Sequence, residues 1–175
     1  MNILGIDLGS KVMAFAILQD GKYVKSWAVD LTGEGNIYVM VHNAILEALR
    51  DWEYFCKPTT ENFIAFEYIT MNFGWQRILL EIVGIVKTIC GQRDIGFIEI
   101  SPTTIKKAVL GIGNPPKKEK KAMMVKAVNE KFGLAIESHD EADSIGIAYC
   151  AWLMEKEPNN KGVWHDITRA SYGFK

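Results

Sequence analysis

Apolar and polar positions recur along this chain in two different periods. Near the N-terminus the runs NILGIDL, VMAFAILQ and KYVKSWAVDL are short and rich in β-branched and aromatic residues. They predict three strands in an antiparallel meander, with turns at Gly9–Lys11 (GSK) and Asp20–Lys22 (DGK). From Ile37 to Phe55 the period lengthens. Ile37, Val41, Ala44, Ile45, Ala48, Leu49, Trp52 and Phe55 follow helical spacing, and Pro58 stops that helix. FIAFEYI and GFIEI read as two buried strands, with a helix from about Gly74 to Cys90 between them. Ser101 before Pro102 is a helix N-cap with proline at the first helical position. GIGNPP is a loop, a lysine-rich helix follows from about Lys117 to Phe132, and a last helix starts near SHDEAD and ends before Pro158.

The order βββαβαβ, followed by helices, predicts an α/β fold. Three antiparallel strands and two strands reached through helical crossovers give a mixed five-stranded sheet with helices on both faces. Residues 1–157 form one domain in this reading, and 158–175 an aromatic, irregular C-terminal extension. With 175 residues, 49% hydrophobic and 23% charged, the chain has the composition of one ordinary soluble domain. No apolar run approaches the roughly 18 residues of a membrane helix, and the N-terminus has no signal- or transit-peptide character. The three cysteines, Cys56, Cys90 and Cys150, are far apart with no CxxC, as expected of reduced thiols in a cytoplasmic protein.

Net charge is −1, but it is unevenly spread. Between Ser101 and Gly133 stand Lys106, Lys107, Lys117, Lys118, Lys120, Lys121, Lys126 and Lys131 against only Glu119 and Glu130. A basic block on a near-neutral protein is either a solvated helix face or the footprint of a phosphate backbone.

Four acids break the apolar pattern. Asp7 sits at the tip of the first strand, where it could be a turn residue. Glu67 interrupts FIAFEYI, where a lone carboxylate would carry a large desolvation cost. Asp140 and Asp143 are three apart at the start of the last helix, a spacing that places both on one side. Each has an ordinary structural explanation. Together they can converge, because adjacent parallel strands put Asp7 beside Glu67. A cluster of like charges needs cations. All-oxygen ligation suits Mg²⁺ or Mn²⁺, and two such ions are the usual apparatus of phosphodiester hydrolysis.

The motifs GIDLGS, FIAFEYI, SPTTIKKAVLGIGNPPKK and HDEADSIGIAYC, over about residues 1–155, resemble those of the RuvC-type Holliday junction resolvases within the RNase H-like nucleases. The resemblance implies that Asp7, Glu67, Asp140 and Asp143 bind two Mg²⁺ (Mn²⁺ substituting) and catalyse endonucleolytic cleavage of branched DNA. Its substrates would be four-way junctions, with forks and flaps as further possibilities. It also implies a catalytic lysine within PPKKEKK, with Lys117 and Lys118 as the leading positions. Lys106, Lys107, Lys120 and Lys121 would join them on DNA. Family members often carry a base-unstacking phenylalanine three residues after the glutamate. Here that position is Thr70, with Tyr68, Phe73 and Trp75 as nearby aromatic substitutes. His139, next to Asp140, is of a type that can serve as a metal ligand in such sites, and otherwise reads as a surface residue of the helix start. Paired nicks on a two-fold junction imply a homodimer, and the Gly74–Cys90 helix is apolar over more of its circumference than one sheet face requires. A bacteriophage-encoded version acting in a bacterial cytoplasm fits so diverged a sequence. The alternatives are an RNA-processing YqgF-type nuclease and a non-catalytic nucleic-acid-binding module. A sugar-kinase or actin-like ATPase would share GIDLGSK but needs a second phosphate loop and about twice the length.

Overall fold

The computed structural model describes residues 1–56, 61–69, 77–157 and, for the backbone, 168–170. The elements run β1 (Asn2–Asp7), β2 (Val12–Gln19), β3 (Lys22–Asp30), α1 (Ile37–Phe55), β4 (Asn62–Glu67), α2 (Arg77–Arg93), β5 (Gly96–Ile100), α3 (Pro102–Leu110), α4 (Lys120–Phe132), α5 (His139–Lys156) and β6 (Thr168–Ala170). The sheet order is β3-β2-β1-β4-β5-β6. β1 to β3 form the expected antiparallel meander, and β4 and β5 add in parallel. The β2–β3 turn has positive φ at both Asp20 and Gly21 (52° and 75°), the backbone of a tight hairpin. The C-terminal extension contributes β6, a short antiparallel strand that extends the five-stranded sheet at the β5 edge.

Strand alternation separates two cores. Leu4, Ile6, Phe15, Ile64, Phe66 and Phe97 pack with the buried faces of α1 and α2. Ile3, Ala16, Ala65, Ile98 and Ile100 pack with α3, α4 and α5 on the other side. Helices therefore cover both faces, as the sequence predicts. Among the described residues, no helix is long and apolar enough to cross a membrane. The three cysteines are free and buried.

Three boundaries differ from expectation. α2 continues to Arg93, because the reversal falls at Asp94, which takes a left-handed φ of 54°. The start expected near Gly74 lies outside the described residues. α4 begins at Lys120 and not at Lys117, since the amides of Glu119 and Lys120 both bond back to Pro116 O in a turn that precedes the helix. Glu67 is the last residue of β4, not an interior one. That last difference matters for the chemistry.

Candidate active site

Asp7 and Glu67 occupy equivalent positions. β1 and β4 are parallel neighbours whose register ends with Ile6 opposite Phe66. One step further brings the two acids side by side at the same sheet end. The two-residue period of a strand decides the face. Ile3 lies in the core beneath α5, so Gly5 and Asp7 share that face. Ala65 lies there too, and Glu67 follows it. Both carboxylates thus emerge on the α5 side, at the point where the apolar strand runs out.

The N-terminus of α5 arrives at the same place. Ser138 caps the helix, its side chain accepting from the Glu141 amide at 3.3 Å. Asp140 and Glu141 fill the first turn, where the helix dipole favours negative charge. Close approach of α5 to β1 depends on Gly5. A Cβ there would stand 2.3 Å from Ser144 O and 2.8 Å from Ala148 Cβ. α3 and α4 close on α5 at Gly146, where an added Cβ would meet Met124 and Val109 at 3.3 Å. The linker between α4 and α5 is pinned by Asn129, whose amide bonds both the N–H and the carbonyl of Ile136. Backbone approach and side-chain clamps thus place the α5 acids against the strand tips.

Electrostatics registers the convergence. Burial, reinforced by Asp143, Glu67 and Asp140 and opposed by Lys121, pushes the Asp7 carboxyl up to about 7. Glu67 is raised by burial and by Asp143, while Lys106 and Lys120 pull it down. Asp143 is raised by burial and by Asp140, against Lys121, Lys106 and Lys120. Asp7, Glu67 and Asp143 thus all resist ionisation, and Asp140 adds to the repulsion on Asp7 and Asp143. Among the described residues, no three His, Cys, Asp or Glu side chains are already gathered tightly enough to hold a metal ion. Their chemistry nonetheless suits one. The donors are all hard carboxylate oxygens, partly desolvated and mutually repelling, which is what a divalent cation relieves.

A cleft opens beside the acids, lined by Glu67 and Asp143, by Lys106, Lys120 and Lys121, and by the apolar wall of Ile105, Met124 and Ile147. The structure thus sorts the basic block. Lys106 from α3 and Lys120 and Lys121 from the first turn of α4 stand at the acids. Lys117 and Lys118 are exposed in the turn before α4 and do not line the cleft, and Lys107 is exposed on α3. His139 is exposed at the start of α5. Tyr68 is 41% exposed next to Glu67. Thr70, Phe73 and Trp75 lie outside the described residues. Two further participants in the geometry are Gly5 and Glu141. The first carries no sequence signal beyond a glycine inside a strand. The second is marked by the S-x-x-E spacing of Ser138 and Glu141, a capping pattern.

The chain is similar to several characterised proteins. It is 26% identical over 158 residues to the crossover junction endodeoxyribonuclease RuvC of Thermomicrobium roseum, covering 86% of this chain and 91% of that protein. Against the RuvC of Rickettsia bellii it is 29% identical over 157 residues, covering 85% and 95%. The Thermus thermophilus RuvC structure superposes with a TM-score of 0.67 at 19% identity, over 94% of this chain and 98% of that one. The fowlpox virus Holliday junction resolvase superposes with a TM-score of 0.55 at 16% identity, over 89% and 99%. These relatives are bacterial and poxviral and do not single out a bacteriophage source. The family model described as crossover junction endodeoxyribonuclease RuvC matches residues 3–151, and the chain belongs to that family.

Proposed function

We propose that this chain is a divalent-metal-dependent endonuclease that nicks four-way DNA junctions, with Asp7, Glu67, Asp140 and Asp143 as its metal-binding acids. The observation that carries the reading is the coupling of these four carboxylates at one sheet end, in a chain of the RuvC family. Mg²⁺ is the expected ion and Mn²⁺ its substitute, two per site, because hard oxygen donors select them. Bound ions would supply Lewis-acid activation of water and neutralise charge at the scissile phosphate.

The protein's own part is positional. The strand tips fix Asp7 and Glu67, and α5 brings Asp140 and Asp143 across from them. Lys106, Lys120 and Lys121 face the same space, and we assign to one of them the neutralisation of developing phosphate charge for which the family resemblance made Lys117 and Lys118 the leading positions. α4 supports this assignment. Its first turn holds no acid and its N-cap makes no side-chain hydrogen bond. Lysines at the positive end of a helix disfavour that helix on its own. With a phosphate in place, both the lysines and the free amides gain a partner. Lys107, Lys117 and Lys118 then extend the basic track along the DNA arms. Phe73 and Trp75 are the aromatic side chains we propose to contact unstacked bases.

We assign the activity to residues 1–157, acting in the cytoplasm as a homodimer, with 158–175 as an extension. Cleavage of a panel of four-way, forked, flapped and linear DNAs tests the reading. Paired symmetric nicks confined to four-way junctions, dependent on Mg²⁺ or Mn²⁺ and blocked by chelation, are expected. Metal-independent cleavage, or equal cutting of linear duplex, would count against it.

A further inference from the structure

A fifth carboxylate occupies the same turn of α5 as Asp140 and Asp143. Along a helix, Glu141 projects about 100° from Asp140 and still further from Asp143. It is not among the carboxylates that act on Asp7, Glu67 or Asp143. Three bonds hold it. Its amide donates to Ser138 Oγ at 3.3 Å. Its carbonyl accepts from Ser144 Oγ at 2.8 Å. Its side chain leaves the helix altogether, with Ser26 Oγ of β3 donating to Glu141 Oε2 at 2.7 Å across 115 residues of sequence. Since the Ser26 proton is committed there, Ser26 Oγ accepts from Tyr23 OH at 3.1 Å. In an ordinary capping box a glutamate at this position returns to its own N-cap amide. Here it is spent on a neighbouring strand.

That choice has a mechanical consequence. The α5 turn presents two acids toward two more, and their repulsion tends to roll the turn away from β1. Core packing from Ala142 onward and the contact at Gly5 hold the body of the helix, so the roll falls on its first turn, which lies ahead of that packing. The Ser26 hydrogen bond ties the Glu141 side chain to β3. Placed on the opposite side of the turn, it opposes the roll. We propose that Glu141 is a positioning residue that, through Ser26, sets the rotation of the first turn of α5 and so directs Asp140 and Asp143 toward Asp7. The inference rests on the reading of the four acids given above and adds the group that aims two of them.

The test uses the full chain carrying Glu141→Ala, Glu141→Gln, Ser26→Ala and the Ser26→Ala/Glu141→Ala pair. Four quantities are measured: single-turnover cleavage, Mn²⁺ affinity of the DNA-free protein by calorimetry, junction affinity without metal, and melting temperature. Glu141→Ala and Ser26→Ala should each lower cleavage and Mn²⁺ affinity about tenfold, the scale of losing a partner that orients a ligand. Junction affinity should hold. Glu141→Gln should keep most of the activity, because its amide oxygen still accepts from Ser26. The double variant should be no worse than either single one, since both remove the same bond. A Glu141→Gln as slow as Glu141→Ala would overturn the proposal in favour of the charge itself. Wild-type behaviour of Glu141→Ala, or losses that merely track melting temperature, would overturn it as well. Asp140→Asn and Asp143→Asn run alongside. If they cleave normally, the reading of the acids fails; if they are dead while Glu141→Ala is unimpaired, only the tether fails.

Discussion

At the scale of single residues, Asp7 concentrates the argument. Its carboxyl is raised from 3.8 to about 7 by burial and by three like-charged neighbours. Between those limits the metal-free native protein holds a proton that the unfolded chain has released. Stability must then fall as pH rises through this window, because the native state binds more protons than the unfolded one. Glu67 and Asp143 shift in the same direction and add to the effect. Thermal melts of metal-free protein should show a decline from about pH 4 to about pH 7, and Mn²⁺ should reverse it by binding only the folded state. Asp7→Asn should flatten the decline while abolishing cleavage and leaving junction binding intact or tighter, as one negative charge leaves a surface that faces phosphates. A flat melting profile for the unsubstituted protein would remove the electrostatic basis of the site. The four acids were legible in the sequence because each interrupts an apolar pattern or repeats at a helical spacing. The role of Glu141 was not, since its S-x-x-E spacing from Ser138 signals only a helix cap, and its side-chain partner lies 115 residues away.

At the scale of elements, two approaches set the geometry: α5 onto β1, and α4 onto the cleft. Gly5→Ala would drive a methyl group into Ser144 O and Ala148. The expected cost is about 2 kcal/mol of stability, typical of overpacking. Cleavage should fall further than stability accounts for, because the α5 acids move with the helix. Normal cleavage in a folded Gly5→Ala protein would show that this approach does not control the site. For the cleft, the pair Lys120→Ala/Lys121→Ala should slow cleavage more than it weakens junction binding. The pair Lys117→Ala/Lys118→Ala should do the reverse and flatten the salt dependence of affinity. The opposite ranking would return the catalytic role to the turn before α4. The long elements were readable because their periodicity spans many residues. What escaped was local. α4 starts three residues late because two amides turn back to Pro116. Glu67 ends its strand although Tyr68 and Ile69 continue the apolar pattern. β6 has three residues, too few for any period to show.

At the scale of the whole molecule, cutting two opposed strands of a junction requires two sites related by symmetry, and a two-fold dimer provides them through one self-complementary surface. The sequence put that surface on the helix ending near Cys90. Much of the apolar excess there turns out to be used internally: Ile82, Val83, Val86, Ile89 and Cys90 are buried in the core of this chain. Among the described residues, a groove stays open between α1 and α2, lined by His42, Glu81, Gly84, Ile85, Thr88 and Gln92. Gly84 lies in mid-helix, where glycine costs about 1 kcal/mol relative to alanine, and beyond its own helix turn no atom of the described residues lies within 4 Å of an added Cβ. Nothing among the described residues calls for a glycine there. A second helix approaching that point would. Gly84→Arg should therefore keep or raise the melting temperature of the monomer, since it improves helix propensity and its Cβ meets no neighbour among the described residues. In sedimentation at micromolar concentration it should shift dimer to monomer, and paired nicking should give way to single nicks. A Gly84→Arg protein that stays dimeric would move the interface elsewhere on the surface. A strict monomer that still makes paired nicks would separate junction resolution from dimerisation altogether.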